Sequence, residues 1–99
     1  MKLELAEPAR RQAAKIEGWW AENRPAAPSL FAQEFRDALE LICRNPGVGT
    51  SWPTARRPDL RRVLMPRTKH HVYFRVDVPK KVVQVLAVWG APRGRGPRL

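Results

Sequence analysis

The chain has 99 residues, 43% of them hydrophobic and 28% charged, and a formal net charge of +10. This length supports one domain around one hydrophobic core, and the composition excludes an intrinsically disordered chain. No apolar run is long enough to span a bilayer. Met1–Arg11 contains no apolar leader core, so a cytoplasmic location without membrane association is expected.

The charge is confined to one half. Residues 1–43 hold six Lys/Arg against seven Asp/Glu, whereas residues 44–99 hold thirteen against two, Asp59 and Asp77. A surface that concentrates like charge repels itself, so an anionic partner is the expected reason to keep it. The lone Cys43 has no intrachain disulfide partner, and its place beside Leu39 and Ile42 reads as a small packing residue.

In chain order, Leu3–Leu5 alternates apolar and acidic residues and predicts a short strand. Pro8 suits the first turn of a helix, in which Ala9, Ala13, Ile16 and Trp20 form one apolar stripe running to Asn23. Gly18 inside it costs about 1 kcal/mol relative to Ala, so compensating contacts are expected there. Arg24–Pro28 breaks this helix, and Ser29 is placed as the N-cap of the next. Phe31, Phe35, Ala38, Leu39 and Ile42 repeat the stripe until Asn45-Pro46-Gly47 ends it. The short linker predicts an antiparallel helix hairpin.

Val48–Pro58 has turn formers and no period, and reads as a loop. Strands are predicted over Leu60–Met65, Lys69–Val78 and Lys81–Trp89, with Pro66 and Pro79 at the breaks. The short connections require antiparallel neighbours. In the middle strand of the three, Val72, Phe74, Val76 and Val78 share one face, and His71, Tyr73, Arg75 and Asp77 the other. The apolar side should receive the helices and leave His71, Tyr73 and Arg75 open. In the last strand both faces are mostly apolar, which marks a central position. Alternation puts Val82, Leu86 and Val88 on one side, and Val83, Val85, Ala87 and Trp89 on the other. The expected architecture is α+β: an N-terminal strand, an antiparallel helix hairpin, and a three-stranded antiparallel meander, forming one curved sheet with helices on one face. Residues 90–99 form a Gly/Pro/Arg tail, expected to be mobile when free and removable from Arg93 onward without loss of the fold, with Leu99 its one candidate core residue.

His70 and His71 are adjacent and point to opposite faces, and no Cys or acidic cluster accompanies them, so neither a metal site nor a cofactor is expected. His71 reads either as a polar strand residue or as a general acid/base. Trp19-Trp20 reads as helix packing or as a partner-binding edge. Trp52, in a polar loop before Arg56-Arg57, suits a protein contact. Arg rather than Lys dominates the basic half, which favours bidentate pairing with carboxylate or phosphate.

The order of LELICRNPGVG (Leu39–Gly49), LRRVLM (Leu60–Met65), KHHVYFRVD (Lys69–Asp77) and VVQVLAVWG (Val82–Gly90), followed by Arg93 and Arg95, resembles the RelE/ParE superfamily of bacterial toxins from type II toxin–antitoxin systems. The long hairpin and the NPGVG exit look more like the ParE branch. That resemblance implies a toxin that inhibits growth by binding a macromolecular target, DNA gyrase, without catalysis. It also implies a cognate antitoxin with an acidic segment, with which the toxin assembles. Target or antitoxin contacts are expected at Arg61, Arg62, Arg67, Arg75, Arg93, Arg95 and Trp52. The alternative is a ribosome-dependent mRNA endonuclease, in which arginines hold the message and His71 or Tyr73 transfers the proton. No tyrosine follows Tyr73, so the family's C-terminal acid/base group is missing. A third reading is a basic binding module without toxicity.

Overall fold

The computed structural model describes residues 1–90 and 96–99. Its elements are β1 (Lys2–Leu5), α1 (Glu7–Asn23), α2 (Leu30–Arg44), β2 (Thr50–Ser51), β3 (Arg61–Met65), β4 (His70–Asp77) and β5 (Val82–Gly90). One mixed sheet has the order β1-β5-β4-β3-β2. β1 runs parallel to β5 at one edge, and the other pairs are antiparallel. The meander and the N-terminal strand are as the sequence predicts. The two-residue β2 lies inside the segment read as a loop, where its pairing with Arg61 and Arg62 depends on residues distant in sequence.

The helices cover one face. Ala9 and Ala13 of α1, with Phe31, Ala38 and Ile42 of α2, pack on Met65, Val72, Phe74, Val83, Val85 and Val88. Ile16, Trp20, Phe35 and Leu39 close the edges of this core. Burying each large apolar side chain contributes about 1.5–3 kcal/mol. α1 ends where Pro25 cannot continue it. The Arg24 amide still donates to the Trp20 carbonyl, and Asn23 Nδ2 caps the Trp19 carbonyl at 2.8 Å. Ser29 occupies the N-cap position of α2, but its hydroxyl makes no cap hydrogen bond. Gly18 differs from expectation: it is exposed, and a Cβ there would meet nothing within 4 Å. No neighbour compensates its helix cost.

Glu34 ties α2 to the β3–β4 turn. Its carboxylate accepts from the Arg67 amide at 2.8 Å, the Thr68 amide at 2.9 Å and the Thr68 hydroxyl at 2.6 Å. Partial burial alone raises this carboxyl's pKa, but the bonds from Thr68 and the Arg67 amide, with the Arg67 charge, outweigh it and leave it lowered from 4.5.

The face assignment of β5 is corrected by a bulge. Tyr73 pairs with Ala87 and Phe74 with Val85, so Leu86 is an extra residue in β5. One inserted residue inverts the alternation beyond it. Val83 and Val85 therefore share the helix face with Val88, while Leu86, Ala87 and Trp89 turn to the other side. β1 has ended here, so the Val88 amide has no strand partner at that edge; it donates to Gln12 Oε1 of α1 at 2.8 Å. Among the described residues no helix is long and apolar enough to cross a membrane.

Candidate functional site

The sheet face away from the helices carries the residues of interest. Cross-strand partners share a face, which groups Leu64, His71 and Trp89 in one row, and Arg62, Tyr73 and Ala87 in the next. Arg75 and Gln84 form the row after the bulge.

This face is not open throughout. Tyr73 is 2% exposed and sits in a second, smaller cluster with Leu60 and Ala87, flanked by Leu86, Trp89 and Leu99. Its burial follows from the bulge, which brings Leu86 and Ala87 together on this side, and from the chain end. The Thr54 hydroxyl donates to the Leu99 carbonyl at 3.2 Å and holds the terminus against the cluster. A Cβ at Gly96 would stand 3.2 Å from the Tyr73 hydroxyl. A cleft of about 610 Å³ runs between Gly96–Leu99, the start of α1 at Ala6 and Pro8, and the indole of Trp89.

The two arginines of β3 have separate jobs. Arg61, opposite Phe74, lies on the helix side and turns its guanidinium onto the 47–49 loop. Its Nε donates to the Val48 carbonyl at 3.1 Å, and Nη2 to the carbonyls of Gly47 at 2.7 Å and Gly49 at 3.0 Å. That loop is tightly placed. Gly49 has φ +83°, and any Cβ there would lie 2.3 Å from the Arg62 carbonyl oxygen. Arg61 is thus a staple, and its charge is spent on backbone acceptors.

Arg62 faces the other way. Its guanidinium carbon lies 3.5 Å from the centre of the Trp52 ring, and Nη1 donates to the Tyr73 hydroxyl at 3.2 Å. Stacking and hydrogen bonding fix this cation in place. Trp52 itself is 44% exposed. Arg75 donates from Nε to Asp59 Oδ2 at 2.9 Å and from Nη1 to Gln84 Oε1 at 2.7 Å, so its charge is answered within the chain. Arg67 lies exposed on the β3–β4 turn. Arg93 and Arg95 fall outside the described residues.

His71 is half-buried, with its ring edge-on to Tyr73 at 6.0 Å between centroids. Burial, with the Arg62 charge second, pushes its pKa below the usual 6.5, so the imidazole is neutral at pH 7. His70 points to the helix side, edge-on to Phe31 at 5.5 Å, with Nδ1 bonded to the Thr68 carbonyl at 2.8 Å. The two histidines are separated by the sheet, as their adjacency requires. Among the described residues no three His, Cys, Asp or Glu side chains gather into a metal-binding group.

The arrangement therefore unites Trp52, Arg62, His71 and Tyr73. It sets apart Arg61, Arg67 and Arg75, which serve loop, turn and strand contacts. Sequence reasoning missed Asp59 and Gln84 as the partners of Arg75, and Leu99 as cover for Tyr73. The acid two residues before β3 gave a faint signal for the first; for the second, Leu99 stood out as the one apolar core candidate in the tail, but nothing local named Tyr73 as its partner.

Residues 3–93 match the family described as ParE toxin of type II toxin-antitoxin system, parDE. Among solved structures, the chain is similar to a chromosomal ParDE toxin–antitoxin system from P. aeruginosa. That match has 20% identity, TM-score 0.66, and covers 91% of this chain and 95% of the other. It is also similar to the isolated E. coli RelE toxin, with 17% identity, TM-score 0.61, and 95% and 87% covered. The RelBE2 toxin–antitoxin complex from Mycobacterium tuberculosis gives 20% identity, TM-score 0.65, and 91% of each chain. A comparison with curated protein sequences gives no significant match. At these identities the structural likeness concerns the fold.

Proposed function

This chain belongs to the ParE toxin family of type II toxin–antitoxin systems, and we propose that it inhibits growth in the cytoplasm by binding a macromolecular target, DNA gyrase, without catalysis. A cognate antitoxin with an acidic segment neutralises it in a hetero-oligomer. The gyrase target is what the resemblance to the ParE branch implies. The burial of Tyr73 carries the non-catalytic reading. Ribonucleolytic cleavage needs one group to take the ribose proton and another to protonate the leaving oxygen. Of the two candidates on this face, Tyr73 is buried with its hydroxyl engaged by Arg62, which leaves His71 alone. Arginine, with a pKa above about 12, is a poor proton shuttle.

Inducing the chain should trigger the DNA-damage response and filamentation while messenger stays intact, and purified protein should inhibit gyrase supercoiling. His71→Ala and Tyr73→Phe should leave toxicity nearly unchanged. Position-specific cuts in ribosome-bound message, lost in either variant, would establish the endonuclease instead.

A further inference from the structure

On the sheet face away from the helices, Arg62 is clamped between the Trp52 ring and the Tyr73 hydroxyl. His71 lies beside it across Tyr73. Two side chains with apolar surface bound this pair: Leu64, the cross-strand partner of His71 and 48% exposed, and Trp52, 44% exposed. We propose that this patch is the seat for a carboxylate of an acidic, amphipathic peptide segment, received between Arg62 and His71, and that seating it draws a proton onto His71.

The groups facing His71 among the described residues are the Arg62 guanidinium on β3, the Tyr73 ring on β4, and the uncharged Leu64 and Trp89. Arg62 is the charge that acts on the imidazole, and it opposes protonation in the free chain. A carboxylate placed between the two cancels that repulsion and accepts a hydrogen bond from the imidazolium, which favours the charged ring. Binding and protonation are then linked, and the segment binds more tightly as the pH falls toward the free imidazole's titration range. Single-proton linkage limits this to about tenfold per pH unit.

A nucleic-acid phosphate would supply the same charge, but the surroundings favour a peptide. One face of the Trp52 ring is occupied by Arg62 at 3.5 Å, which removes that face as a stacking surface for a base. Leu64 offers an aliphatic contact, which suits an apolar peptide side chain better than a sugar or a base edge.

The inference rests on the toxin–antitoxin reading for its choice of partner, but its test is separate. The full chain is titrated calorimetrically with a synthetic peptide of Glu-Glu-Leu-Ala repeats. Bis-Tris and Tris buffers, which are cationic and differ in ionisation enthalpy, reveal the protons taken up. The expected result is a net uptake of a fraction of one proton per complex, and an affinity that rises as pH falls from about 8 to 6.5. His71→Gln should still bind at the upper pH but lose both the uptake and the pH dependence. Arg62→Ala should weaken binding at every pH. Binding without proton uptake, or uptake unchanged in His71→Gln, overturns the proposal. Tighter binding of a short oligouridylate with the same His71-dependent uptake would assign the patch to nucleic acid and overturn it equally. None of these outcomes bears on whether an antitoxin exists, which growth rescue by co-expression decides.

Discussion

The two faces of the sheet are built from the same strands and obey different rules. The helix face is dry and continuous, with Val72, Phe74, Val83 and Val85 at 0% exposure under α1 and α2. The opposite face has a small core of Leu60, Tyr73 and Ala87, sealed partly by Leu99, and beside it a row of polar and aromatic groups held by specific contacts. The first face holds the fold together through apolar burial, which is insensitive to detail. The second holds side chains in position through hydrogen bonds and stacking, where a single residue decides what is exposed. Function is expected on the second because Arg62, a fixed cation stacked on the half-exposed Trp52, lies there.

The comparison is tested most strongly by Phe74→Ala on the helix face. A cavity in that core should cost about 3–5 kcal/mol, enough to lower the melting temperature by tens of degrees in a domain of this size. A loss under about 1 kcal/mol in thermal or urea unfolding would show the helix face to be less dominant than its burial implies.

The neighbouring arginines give the next contrast. Arg61→Ala strips the hydrogen-bond donors from the carbonyls of Gly47, Val48 and Gly49, and should cost about 1–3 kcal/mol of stability. Arg62→Ala should cost less in urea unfolding but weaken partner binding. Reversed effects would mean that the two roles have been exchanged.

Leu99 tests whether the chain end belongs to the second face. Deleting it removes cover from Tyr73 and the acceptor of the Thr54 hydroxyl, with an expected cost of about 1–2 kcal/mol. An unchanged melting temperature in the deleted chain would return the terminus to the status of a dispensable tail.

Gly18→Ala should stabilise the chain by about 0.5–1 kcal/mol, because the helix gains propensity and the methyl meets open space. No change or a loss, read in the same melts, would mean that the exposed side of α1 is constrained by something other than helix propensity.

Acid unfolding probes the smallest effect. The Glu34 carboxyl is lowered from 4.5 in the folded chain, so the stability it supplies is present above that value. It is lost as pH falls through the lowered one, since the unfolded chain takes up the proton first. Glu34→Gln should remove this component from the pH dependence below about 4.5. A variant whose acid profile matches the parent's would show that the link from α2 to the β3–β4 turn is not ionic.

Much of this architecture was legible in the chain. The stripes Ala9–Trp20 and Phe31–Ile42 predicted both helices, and the alternation around Val72–Val76 predicted which side of β4 they cover. The division of charge between residues 1–43 and 44–99 placed thirteen of the nineteen Lys and Arg in the half that forms β2–β5. The site was legible only as a set of candidates. Trp52, Arg62, His71 and Tyr73 were all singled out, but nothing in their spacing paired Arg62 with Trp52, buried Tyr73, or turned Arg61 onto the 47–49 loop.

The sequence by itself determined the elements, their order and the polarity of the charge, because periodicity and turn residues act over a few neighbouring positions. Only the tertiary structure decided that β1 adds parallel to β5, that Leu86 is an extra residue, and that Leu99 returns to cover Tyr73. Each of these depends on residues far apart in the chain, and one inserted residue in β5 is enough to reassign every side chain beyond it. The choice between an open tyrosine and a buried one, on which the reading of the site turns, lies in that register shift together with the return of Leu99.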